Sequence, residues 1–262
     1  MTPDDLYAAL TGPQPFFILG PCVMESYALL DEVASEVARL RDTYGLTCIF
    51  KSSFDKANRT SAHARRGPGL DQGKAWLAQI RETYDLPVTT DVHESHQPAQ
   101  LAGVVDVMQI PAFLCRQTDL LLAAAATGAV VNIKKAQFLS GADMFYPAEK
   151  VREAGNPRIL LTERGTVMGY NNLVVDFRNI PAMKAHGYPV VMDCTHAVQR
   201  PGGGGGMTTG DRAYVPAMAR AAQAFGADGY FMEVHPDPDR AWSDGPNMLP
   251  LKDLEPVIQS LL

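Results

Sequence analysis

Residues 129–138 read Ala-Val-Val-Asn-Ile-Lys-Lys-Ala-Gln-Phe, an apolar run closing on paired lysines. Its start, Ala129–Val130–Val131, does not alternate with polar residues. A strand reads this way when both its faces are covered, as in a parallel sheet flanked by helices. Working outward, runs of the same kind recur along the chain at Phe16–Leu19, Thr47–Lys51, Pro87–Val92, Asp106–Ile110, Arg158–Leu161, Pro189–Asp193 and Gly229–Val234, which with Ala129–Ile133 makes eight. Helical stretches follow them, most clearly Ala28–Tyr44 with Leu29, Leu30, Val33, Val37 and Leu40 at helical spacing, then Gly73–Tyr84, Thr118–Ala126 and Tyr214–Phe225, with Leu254–Leu262 last. No linker or change of composition divides the chain. Eight βα repeats therefore predict an α/β protein, a single (β/α)8 (TIM) barrel spanning 1–262.

Composition narrows the function classes. A chain of 262 residues, 46% of them hydrophobic, can fill one large core. Its net charge of -6 lacks the basic surface that a nucleic-acid backbone requires. Cys22, Cys48, Cys115 and Cys194 are scattered without a CxxC pair and read as reduced thiols. Met1–Leu10 carries Asp4 and Asp5 with no basic leader, and no apolar run approaches the ~20 residues of a membrane span. The expectation is a soluble cytoplasmic protein without a nucleic-acid or membrane partner.

In such a barrel, chemistry sits at the C-terminal ends of the strands. Those ends supply Cys22 and Glu25; Lys51, Lys56, Asn58 and Arg59; Asp91, His93 and Glu94; Gln109; Asn132, Lys134 and Lys135; Arg164; His196; and Glu233 and His235. A cationic set of Lys51, Lys56, Lys134 and Arg164 inside an acidic protein suits phosphate and carboxylate groups, and so a small phosphorylated anion. Closure of the eighth strand onto the first brings Cys22, His196 and Glu233 together, with Asp244 on the following loop. Thiolate, imidazole and carboxylates fit a borderline divalent ion such as zinc, iron or manganese. Spacing alone equally allows a buried structural cysteine and a hydrogen-bonding histidine. The Gly-rich stretch Pro201–Gly210 reads either as a surface loop or as a mobile lid.

The segments LGPCVME (19–25), FKSSFDKANRTS (50–61), GLDQG (69–73), TDVHE (90–94), DVMQIPAF (106–113), NIKKAQF (132–138), TERG (162–165), DCTHAVQRPG (193–202) and EVHPDP (233–238) closely resemble 3-deoxy-D-manno-octulosonate 8-phosphate synthases, from about Phe17 to Leu251. The resemblance implies a homotetrameric barrel that condenses phosphoenolpyruvate with arabinose 5-phosphate for lipopolysaccharide synthesis. The related synthase using erythrose 4-phosphate carries Lys-Pro-Arg-Thr after the second strand, whereas this chain has Lys56–Ala57–Asn58–Arg59–Thr60. Metal-free members of the resembled family carry asparagine at the position of Cys22, so cysteine implies the metal-requiring class, with Cys22, His196, Glu233 and Asp244 as ligands. One departure is Ala136, where relatives often have proline or glycine.

The implied roles follow. Lys51, Lys56, Gln109, Lys134 and Arg164 hold phosphoenolpyruvate, and Asn58, Arg59 and Thr60 take the sugar phosphate. Lys56, Asp91, Lys134, His196 and Glu233 are the catalytic candidates, with Asp91, His196 and Glu233 expected to handle protons. The alternatives are the erythrose 4-phosphate synthase and a non-catalytic phosphosugar-binding barrel.

Overall fold

The computed structural model describes residues 1–57, 64–201 and 209–262. Eight parallel strands run in chain order around one sheet: β1 (Phe16–Gly20), β2 (Thr47–Lys51), β3 (Val88–Asp91), β4 (Val107–Ile110), β5 (Val130–Lys134), β6 (Ile159–Glu163), β7 (Val190–Asp193) and β8 (Gly229–His235). β8 pairs back onto β1, Gly20 standing opposite Glu233, so the barrel is closed. All eight strands fall within one or two residues of the runs read from the sequence.

Period-two alternation sorts the strand residues onto two faces. Phe17, Leu19, Phe50, Met108, Val131, Ile133, Leu161, Met192 and Met232 point outward into the layer of helices. Those helices are α2 (Tyr27–Tyr44), α3 (Leu70–Tyr84), α4 (Gln97–Leu101), α5 (Thr118–Ala126), α6 (Phe145–Glu153), α7 (Asn179–Lys184), α8 (Val215–Ala224) and α9 (Leu254–Gln259). The intervening residues Phe16, Ile18, Ile49, Val107, Val130, Leu160, Val191 and Phe231 form a second cluster inside the barrel. Every strand but β3, whose inward residues are Thr89 and Asp91, thus buries apolar groups on both sides, which is why these runs do not alternate.

Two elements were not anticipated. A first helix, α1 (Pro3–Leu10), starts on a capping box between Thr2 and Asp5 with proline just inside its end. Its Leu6 and Leu10 join the inner cluster, and Tyr7 donates to the carbonyl of Ile159 at 3.2 Å, so α1 closes the N-terminal floor of the barrel. The second is a hairpin between β6 and α7, pairing Thr166–Gly169 with Asn172–Val174. Its central residues Tyr170 and Asn171 both have positive φ, 52° and 60°, as a type I′ turn requires. Among the described residues, no helix is long and apolar enough to cross a membrane.

Candidate active site

One step above the apolar floor, the inward positions turn polar. They are Lys51, Asp91, Gln109, Asn132, Thr162, Asp193 and Glu233, from seven consecutive strands and all buried. Hydrogen bonds run around this belt in one direction. Thr162 donates to Asn132 (2.6 Å), Asn132 to Gln109 (3.2 Å) and Gln109 to Asp91 (2.7 Å), which also accepts from Ser53 (2.5 Å). Because the carboxylate of Asp91 can only accept, Gln109 turns its NH2 toward it, which orients both amides and makes the threonine hydroxyl the donor at the far end. Burial opposes the charge on Asp91, but the ammonium groups of Lys51, Lys56 and Lys134 hold its pKa well below the usual carboxylate range.

The β8–β1 corner holds the candidate metal ligands. On its other side β1 comes close to β2 at Gly20, where a Cβ would lie 1.9 Å from the carbonyl oxygen of Lys51. Ligand atoms of Cys22, Glu233 and Asp244 all lie within 4.8 Å of one another. Cys22 Sγ donates to Asp244 Oδ2 at 3.2 Å, and Ser243 donates to the same oxygen at 2.8 Å. His196 lies beside this trio rather than within it, its Nε2 3.6 Å from Glu233 Oε1. Its other ring nitrogen, Nδ1, is 2.8 Å from Asp193 Oδ2, which leaves Nε2 for a ligand, as in carboxylate–histidine–metal arrangements. Glu233 Oε1 accepts from Lys51 at 2.5 Å, while its Oε2 is fully buried with no hydrogen-bond partner among the described residues. An orphaned carboxylate oxygen beside a thiol and a second carboxylate fits a divalent cation. Burial, reinforced by Glu233, pushes the Cys22 thiol well up, and a cation bound there would offset that and favour the thiolate.

The cations occupy the neighbouring arc. Lys134 Nζ sits 3.8 Å above the ring of Phe231 and donates to Asp193 Oδ2 at 2.7 Å. Arg164 is buried, and one of its nitrogens, Nη1, has no hydrogen-bond partner among the described residues; Nη2 donates to Gln199 at 3.0 Å. Burial lowers its pKa, an arrangement that favours an incoming anion. Lys56 is mostly buried and lies 4.0 Å from Glu233. Burial would discharge it, but Cys22, Glu233 and Asp91 outweigh that and raise its pKa. Lys51 differs from the other three: it is 1% exposed and bound to Glu233 and the Cys22 carbonyl, beneath the mouth. Gln109 likewise lies wholly inside the belt. The expected sugar-phosphate residues Asn58, Arg59 and Thr60, and most of the Gly-rich stretch, lie outside the described residues.

Two residues of the site were not picked out from sequence. Asp193 is fully buried and takes hydrogen bonds from Lys134, from the His196 ring and from the His196 backbone N–H at 2.8 Å. It ends an apolar run, where an inward carboxylate looks like the last strand residue, whereas His196, three residues on, reads as a side chain of the loop. Gln199 bridges the two halves of the site, accepting from Arg164 and donating to Asp244 Oδ1 at 2.6 Å.

Comparison with known proteins agrees with this architecture. The sequence model of the DAHP synthetase I family matches residues 8–261. A 2-dehydro-3-deoxyphosphooctonate aldolase from Nitratidesulfovibrio vulgaris (strain DP4) is 56% identical over 260 residues, 99% of this chain and 95% of the relative. Proteins of the same name from a Cyanothece species and from Fusobacterium nucleatum are 53% and 55% identical, over 100% and 92% of this chain and 95% and 87% of their own lengths.

Proposed function

The chain belongs to the DAHP synthetase I family, and from that premise we propose that it condenses phosphoenolpyruvate with arabinose 5-phosphate and water, giving 3-deoxy-D-manno-octulosonate 8-phosphate and phosphate for lipopolysaccharide synthesis. The observation that carries this reading is the pairing, at one barrel mouth, of an anion-binding arc with a cluster of soft and hard metal donors. C3 of phosphoenolpyruvate attacks the sugar aldehyde and a C–C bond forms. Water adds at C2, and phosphate leaves with cleavage of its bond to C2.

Lys134, Arg164 and Lys56 bind the phosphate and carboxylate and aim the enol face at the aldehyde, a matter of orientation and charge stabilisation. Lys51 and Gln109 support them from below, Lys51 by holding Glu233 and Gln109 by holding Asp91. Asn58, Arg59 and Thr60 take the sugar phosphate. A carboxylate held as low as Asp91 is a weak base, so its service is charge balance among the lysines rather than proton abstraction. Where no ion takes His196 Nε2, His196 and Glu233, facing each other at 3.6 Å, are the groups that hold or pass a proton at this corner. Cys22, Glu233 and Asp244, joined by His196, would hold a zinc, iron or manganese ion. Such an ion supplies Lewis acidity toward an aldehyde or water oxygen. We further propose that the protein works in the cytoplasm as a homotetramer.

Measuring phosphate release from phosphoenolpyruvate with arabinose 5-phosphate, with erythrose 4-phosphate and with no sugar tests the assignment. Turnover with arabinose 5-phosphate alone is expected. Preference for the shorter sugar would move the chain to the erythrose branch, and no turnover with either would make it a binding barrel.

A further inference from the structure

The two cations that face the substrate from β5 and β6 each have a charged neighbour in sequence, and alternation sends that neighbour to the other face of the sheet. Lys134 is followed by Lys135, and Arg164 is preceded by Glu163. Lys135 and Glu163 are both 0% exposed and stand 3.4 Å apart in the layer between barrel and helices. Lys135 Nζ also lies 3.1 Å from the carbonyl of Leu139, 3.3 Å from that of Ala136, 3.2 Å from that of Gly165 and 3.3 Å from the Thr166 hydroxyl. Ala136 and Leu139 belong to the loop after β5, Gly165 and Thr166 to the turn after β6. A single ammonium therefore ties together the two loops that leave the anion site. On the other side of the pair, Glu163 Oε1 accepts from the backbone N–H of Gly165 at 2.6 Å, so the chain on both flanks of Arg164 is gripped.

We propose that the buried Lys135–Glu163 pair is a positioning device that sets the spacing and aim of Lys134 and Arg164 for the phosphoenolpyruvate anion. Two like charges aimed at one ligand repel each other until it arrives. Their backbones must be held from behind, and an ammonium, with three donors and no acceptor, can gather acceptors from both loops at once. Neither residue touches substrate; they act through their neighbours. The inference rests on the reading of Lys134 and Arg164 as the phosphoenolpyruvate cations, so its test carries a control for that reading.

The experiment compares Lys135→Met/Glu163→Met, Thr166→Val and Lys134→Ala with the parent, reading kcat, KM for each substrate, thermal midpoint, and binding of phosphoenolpyruvate by calorimetry. Replacing both charges with apolar groups of similar volume leaves no unpaired ion, so the double variant is expected to keep its thermal midpoint. Its KM and Kd for phosphoenolpyruvate are expected to rise roughly tenfold, as for a weakened charge-assisted contact. KM for arabinose 5-phosphate should stay within about twofold, since Lys134 and Arg164 do not hold that sugar, whereas kcat should fall with the lost aim of the enol face. A folded double variant with unchanged phosphoenolpyruvate constants overturns the proposal. If it does not fold, Thr166→Val decides, because it removes one acceptor at a half-buried position: a selective rise of about threefold supports the device, and no rise overturns it. Unchanged phosphoenolpyruvate binding in Lys134→Ala would instead remove the underlying anion site, and the positioning role with it.

Discussion

At the scale of single residues, the site is organised by carboxylates that keep cations apart and aimed. Asp193 is the clearest case, buried between Lys134 and His196. Burial opposes its charge, yet His196 and Lys134 hold its pKa well below the usual range. A group with a depressed folded pKa contributes stability above its unfolded value, about 3.9, and that contribution is lost as the pH falls through the folded value. Asp193→Asn keeps the shape, removes the charge and strands the Lys134 ammonium, a change that costs about 3–5 kcal/mol for a buried pair. Urea unfolding should show that loss at pH ~7, with the gap to the parent narrowing below about pH 4. A gap that is constant across this range would mean that the carboxylate's charge is not what matters. Cys22 carries the metal reading in the same way. Cys22→Ala should fold and bind metal much more weakly, measured as ions per chain after dialysis, whereas Cys22→Asn should keep some turnover that a chelator does not remove. Full turnover of the parent after verified removal of metal would return Cys22 to an ordinary buried residue.

Among the elements, the eight strands were legible because parallel strands covered on both faces leave uninterrupted runs of Val, Ile and Phe. The site was legible where a polar residue follows such a run, as Lys134 follows Ala129–Ile133. It was obscure where one ends it from inside, as with Asp193, or where a side chain matters only through a contact distant in sequence, as with Gln199 on Asp244. Neither α1 nor the hairpin has a βα signature. The role of α1 comes from Leu6 and Leu10 entering the inner cluster, a tertiary fact that its eight residues cannot announce. Leu10→Ala, at a position 1% exposed, should therefore destabilise by about 2–5 kcal/mol through the cavity left under the floor. KM for both substrates should stay unchanged, because the floor lies at the opposite end of the barrel from the mouth. A shift in KM without a shift in stability would contradict that separation.

For the whole molecule, the acidic net charge and the cationic mouth are complementary facts: the charge that repels anions generally is overridden locally, where Lys56, Lys134 and Arg164 converge. The outer surface carries a different signal. The hairpin after β6 exposes Val167, Met168, Tyr170 and Val174, with Tyr170 98% exposed. Apolar side chains gathered on one projecting element mark an association surface more often than a free one. Should the protein form the proposed homotetramer, with the hairpin in a contact between subunits, light scattering should give about 114 kDa, four times the 28.4 kDa of one chain. Adding Asp at Met168 and Tyr170 together should lower that mass to a dimer or monomer, since an uncompensated charge is costly in a buried contact. The far-ultraviolet circular dichroism should not change, because the hairpin contributes nothing to the barrel core. A doubly substituted protein that keeps the parent's mass would place the subunit contacts elsewhere, and a parent that runs as a 28.4 kDa species would remove the tetramer itself.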